Sequence, residues 1–182
     1  MEQLIDWTLA AIRSDGPFMG WMEERRFDWV PVVSSSVGRL IEGAAFVVVT
    51  DKDREWFGKY LVNTLNRPEK KRPMLPIFNI GDIADHLDRA TEGSDIDMIE
   101  NMLHLAFGER YLFWYIGKSD DRRAKLPKKS DDSLLWIMDE EVQNSFFMRS
   151  LDDLLDVKLM HMARLIDRTI SAVMFGEVNL SR

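Results

Sequence analysis

Four short apolar runs, each continuous rather than alternating, limit what this chain can fold into more than any other feature. They read AAFVVVT (44–50), MLPIFNI (74–80), YLFWYIGK (111–118) and SLLWIMD (133–139). A strand with one face in water alternates apolar and polar residues, whereas a strand apolar at every position is buried on both faces. Segments with helical period lie between the runs. Trp56, Phe57, Tyr60, Leu61 and Leu65 form one stripe, which Asn66 and Pro68 end. Ile83 to Leu87 suggests a short helical piece. Ser94 then reads as the N-cap of a helix that carries Ile96, Ile99, Met102, Leu103 and Phe107 on one face and closes at Gly108. Strand alternating with helix specifies an α/β fold, a parallel sheet covered on both faces.

The ends behave differently. Leu4, Ile5, Leu9 and Ile12 give residues 2–13 helical spacing, and FMGWMEERRFDWVP reads as less regular. Ser34 to Ile41 reads as a helix closed by Gly43, and SFFM (145–148) as a fifth strand. From Asp152 to about Phe175 the pattern is unbroken helix. Leu155, Leu159, Met162, Ile166, Ile170 and Val173 make its main stripe, widened by Leu154, Val157, Leu165 and Met174. That is more apolar surface than a small sheet needs, and it suggests packing against another subunit.

At 182 residues the chain fits a single domain, 1–182, and 46% apolar with 30% charged residues suits a globular protein. With no cysteine, disulfides and thiolate chemistry are excluded. Glu2 and Asp6 stand where a secretory leader would be basic, and no stretch approaches the roughly 18 uncharged apolar residues of a membrane span. The expected location is the cytoplasm. A net charge of −7 disfavours general affinity for nucleic acid.

Candidate chemistry is sparse. A strand-to-helix junction that binds phosphate needs small residues and an unoccupied helix dipole. The first such junction here, VVVTDKDREWF, has no glycine, and Asp51, Asp53 and Glu55 already supply negative charge. Thr50 and Asp53 fit the spacing of a capping box, so the helix end is expected to satisfy itself. In YIGKSDDRR, Gly117, Lys118, Ser119 and Arg122 could hold an anion, but Asp120 and Asp121 would repel it, and a solvated loop is the simpler reading. Ser34, Ser35 and Ser36 have neither a glycine elbow nor an adjacent base. His86, His104 and His161 fall on separate elements without metal-ligand spacing, so no metal or cofactor is expected. Asp139–Glu140–Glu141 and Asp152–Asp153 read as helix-start acids. Trp7, Trp21 and Trp29 are the hardest tryptophans to place in a core.

Taken whole, the sequence resembles the HobA family, bacterial proteins that bind the replication initiator DnaA. The likeness runs from LIDWTLAAIRSDGPF through FVVVTDKDREWFGKYLVNTLNRPEKKRPMLPIFNI, YLFWYIGK and LLWIMDEE to SLDDLLDVKLMHMARLIDRTISAVMFGEVNL. It is less even between Ile80 and Phe107. The resemblance extends to DiaA and so implies a three-layer, Rossmann-like fold of the sugar isomerase (SIS) type, with about five parallel strands and a long C-terminal helix. In that fold a small-residue turn and a Ser-rich loop grip a sugar phosphate; here those places read TDKDRE and GKSDDRR.

The resemblance implies a non-catalytic homotetramer that binds the DnaA N-terminal domain and promotes its assembly at the chromosomal origin, without touching DNA or membrane itself. It implies Met174 and Phe175 as the initiator-binding residues. Gly176 reads as a C-cap, which puts Phe175 in the last helical turn. The competing expectation is a divergent sugar-phosphate-binding protein or isomerase using Gly117, Lys118, Ser119 and Arg122.

Overall fold

The computed structural model describes residues 2–84 and 93–180. In chain order the elements are β1 (Glu2–Gln3), α1 (Leu4–Ser14), α2 (Met22–Ile41), β2 (Ala45–Thr50), α3 (Glu55–Leu65), β3 (Ile77–Asn79), α4 (Ile80–Ile83) and α5 (Gly93–Phe107). There follow β4 (Tyr111–Lys118), α6 (Lys125–Lys128), β5 (Leu134–Met138), β6 (Ser145–Met148), α7 (Leu155–Met174) and β7 (Val178–Asn179). Five strands form one parallel sheet in the order β3-β2-β4-β5-β6. The apolar runs are its strands, and SFFM is the fifth. Every residue of β2 and β5 is buried.

Because successive strand residues face opposite sides, the sheet divides the core in two. Phe46, Val48, Leu112, Trp114, Ile116, Trp136 and Phe146 face the layer built from α1, α2, α3 and α7. Val47, Val49, Phe113, Tyr115, Leu135 and Ile137 face the thinner layer of α4, α5 and α6. The result is three layers, helix on sheet on helix.

Several boundaries differ from the sequence expectation. The stretch read as irregular is helical: α2 starts at Met22, twelve residues before Ser34, and runs through Pro31. An interior proline forfeits one backbone bond and costs a helix about 3 kcal/mol. Burial offsets it here, with Met22, Trp29, Val33 and Val37 all at most 1% exposed. Trp29 is therefore core, its ring 5.5 Å from both Trp136 and Phe146. Trp7 and Trp21 are half-buried, and the Lys158 ammonium lies over the Trp21 ring.

The triple serine lines α2, where the Ser36 hydroxyl donates to the Val32 carbonyl. The helix closes as expected at Gly43, φ 97°, where the Gly43 and Ala44 N–H groups return to Leu40 and Arg39. Helix α5 begins at Gly93, so Ser94 lies inside its first turn rather than capping it. Of the helical piece expected over 83–87, Ile83 ends α4 and Ala84 is its non-helical C-cap, while 85–87 lie outside the described residues. A small pair was not foreseen: β1 and β7, two residues each, join the first described residues to the segment after α7. Two-residue strands carry no periodicity for a sequence to display.

Candidate functional site

Strand β2 is flanked by β3 on one side and β4 on the other, so the chain runs outward from β2 to β3 and then crosses back past β2 to β4. Open α/β sheets bind ligands in the crevice that such a reversal leaves at the carboxyl ends of the strands. In this protein the crevice between β2 and β4 is filled by the chain itself. The Asp51 carboxylate, 3% exposed, accepts hydrogen bonds from the Arg54 N–H at 3.1 Å, the Arg54 guanidinium at 2.8 Å and the Lys118 N–H at 2.8 Å. Gly117 makes the approach possible, since a Cβ there would lie 2.7 Å from the Asp51 carboxylate carbon. Burial pushes the Asp51 carboxyl above its usual range, against the downward pull of the Lys118 N–H and Arg54. Asp51 thus caps the short 3-10 turn Lys52–Arg54 that leads into α3, whose own first residues have no side-chain cap. The expected Thr50–Asp53 capping box is not what closes this turn, since Thr50 ends the strand, buried, and Asp53 is exposed.

The same device recurs alongside. Asp139, at the end of β5 with φ 67°, accepts from both the N–H and the hydroxyl of Ser150, which holds its carboxyl below the usual range. Glu140 is held down by the Ser119 hydroxyl and by Lys128. These acids follow a strand and open no helix, which corrects the expectation for 139–141. Asp152 accepts from the Leu154 N–H in the turn before α7, whose N-cap, Leu154, makes no side-chain cap bond.

Of the proposed anion ligands, the Gly117 Cα faces Asp51, the Lys118 N–H is bonded to it, and Ser119 is 8% exposed beside Lys128. Arg122 is exposed, in the short turn before α6. A recess of about 360 Å³ lined by Ile96, Ser119, Lys125, Lys128 and Lys129 lies next to them. It is at the small end of ligand pockets, and two of its polar groups already serve Glu140. Gly117→Ala is expected to destabilise the fold by about 1–3 kcal/mol, because Asp51 is held by three donors and cannot yield; the denaturant midpoint measures it.

The far end of α7 presents a different surface. Gly176 adopts φ 73°, and the Gly176 and Glu177 N–H groups bond to the Val173 and Ala172 carbonyls, the pattern of a Schellman cap. Phe175 is the residue before that glycine and is 58% exposed. Met174 is half-buried against the main core, so of the pair only Phe175 protrudes.

The family model described as HobA, DNA replication regulator, matches residues 1–180. The chain belongs to the HobA family. It is 26% identical to the DNA replication regulator protein HobA of Helicobacter pylori over 188 residues, covering 99% of this chain and all of that one. Among solved structures it is similar to HobA from Helicobacter pylori, with TM-score 0.77, 23% identity and coverage of 98% and 99%. It is similar also to a HobA–DnaA (domain I-II) complex from the same organism, with TM-score 0.75, 24% identity and the same coverage.

In this HobA-family chain the two described histidines, His104 and His161, join no group of metal-ligating side chains. His104 is exposed 3.4 Å from Glu109, and His86 lies outside the described residues. His161 sits half-buried on α7 with an unbonded Nδ1; burial and Arg164 lower its pKa. No group of metal-ligating side chains occurs among the described residues, nor does any described helix have the length and apolarity to cross a membrane. Sequence reasoning missed a buried ion network: Arg72, its side chain 1% exposed, and Lys70 both reach Asp167 on α7. Asp167 stands next to Ile166 in the apolar stripe, and the two cations are some 95 residues away, so spacing could not reveal it.

Proposed function

We propose that this protein is a non-catalytic docking scaffold that binds the N-terminal domain of DnaA, with Phe175 as the exposed anchor and Met174 as its packed support. The observation that carries this reading is the Asp51 carboxylate filling the crevice where an enzyme of this fold class would hold its ligand. The solved HobA relative in complex with DnaA domains I–II supports the choice of partner. An exposed aromatic in the last turn of a rigid helix is the type of residue that dominates interface energetics.

The whole chain acts as one domain, in the cytoplasm. Four copies joined in a tetramer would hold several initiators together and raise their effective concentration at the origin by tethering alone. The exposed Leu154, just before α7, and Val157 on it are apolar surface available for such assembly. No contact with DNA is required, which suits the charge of −7.

A thermal-shift scan separates this reading from a sugar-phosphate enzyme. A ligand at 100 times its dissociation constant stabilises a fold by about 2.7 kcal/mol. Sugar phosphates and nucleotides at millimolar concentration are expected to leave the melting temperature unchanged. A reproducible rise with any of them would favour the enzyme reading.

A further inference from the structure

We propose that the loop spanning residues 66–75 is the second half of the surface anchored by Phe175, and that it meets a protein face bearing carboxylates opposite Arg67 and Lys71. This inference rests on the reading of Phe175 given above. The loop is closed at its base, where the Asn66 amide donates to the Leu75 carbonyl at 2.9 Å and accepts from the Leu75 N–H at 2.8 Å. One side chain there reproduces the two bonds of a strand neighbour. A compact surface loop with joined ends is a common carrier of function.

It is also fixed to α7. Arg72 donates to the Leu65 carbonyl at 2.8 Å, to the Asp167 carbonyl at 3.1 Å, and to the Asp167 carboxylate and the Ser171 hydroxyl. Asp167, Ser171 and Phe175 follow one another at four-residue intervals, so they lie along one stripe of the helix. The loop is therefore attached one turn, about 6 Å, before the exposed ring. A standard interface covers about 800 Å² per partner, a disc about 16 Å in radius. A partner centred on Phe175 therefore reaches the point where Arg72 ties the loop to the helix.

What the loop offers that partner is fixed in advance. Met74 is 80% exposed and supplies a second apolar contact. Lys71 holds φ 53°, a left-handed conformation that side-chain-bearing residues adopt at a cost. Such an outlier persists where the surroundings over-determine it. The loop carries four cations and one acid, Glu69, on a chain of net charge −7. Lys70 and Arg72 are engaged by Asp167, so Arg67 and Lys71 are the two that stand exposed. With the loop held at both ends, little ordering entropy remains to oppose binding.

The test is titration of the isolated DnaA N-terminal domain into wild type, Phe175→Ala and the double variant Arg67→Glu/Lys71→Glu, at salt from about 50 to 500 mM. Exposed charges at an interface act mainly through steering and are screened by salt. The double variant is expected to bind at least tenfold more weakly at low salt, with most of the salt dependence gone and the melting temperature unchanged. Wild-type affinity in the double variant at all salts, with Phe175→Ala still defective, would overturn the loop and leave the anchor standing. Absence of wild-type binding would overturn both.

Discussion

Phe175→Ala is expected to weaken association with the DnaA N-terminal domain by at least about 30-fold, the 2 kcal/mol or more that marks an interface hot spot. The ring is 58% exposed in the free protein, so its removal takes away little internal packing. The helix end is closed by Gly176 and Glu177 backbone bonds that do not involve the ring. The melting temperature and the oligomeric state should therefore stay near the wild-type values. A change in oligomeric state in place of weaker DnaA binding would make Phe175 an assembly residue. Met174→Ala should differ in kind: Met174 packs against the main core, so its loss should lower stability as well as affinity.

The second large effect is expected at Asp51. Asp51→Ala leaves the buried Arg54 guanidinium with only the exposed Asp53 carboxylate as an ion partner, and removes the side-chain acceptor of the Arg54 and Lys118 N–H groups. Breaking a buried ion pair from one side costs about 3–5 kcal/mol. In a chain of this size that lowers the melting temperature by roughly 10 °C. Asp53→Ala is the matched control. Its carboxylate also lies 3.2 Å from Arg54, but with 72% of its side chain exposed. An exposed pair contributes about 0–1 kcal/mol, so the control should melt close to wild type. Equal effects from the two variants would mean that Asp51 does not organise the crevice.

How much of this was legible beforehand follows from the kind of signal each feature leaves. The sheet was readable because strands buried on both faces leave unbroken apolar runs, and Gly43, Gly108 and Gly176 mark helix ends by a backbone conformation that glycine favours. Helix α2 was misjudged because Pro31 is a local signal against a helix, whereas the burial that overrides it is tertiary. The crevice was legible only in part. An acid-rich turn without glycine showed that no phosphate was catered for, but its composition could not tell which acid turns inward. That depends on Gly117, 66 residues away in β4, which alone leaves room for the Asp51 carboxylate. The clasp of Arg72 and Lys70 on Asp167 was invisible for the same reason, a contact between distant segments with no periodic trace.

The most direct test of the docking account is a calorimetric titration of the unmodified protein with the isolated DnaA N-terminal domain. Saturable binding with a dissociation constant at or below tens of micromolar, about −6 kcal/mol or stronger, is the result the account predicts. No association at those concentrations would contradict it.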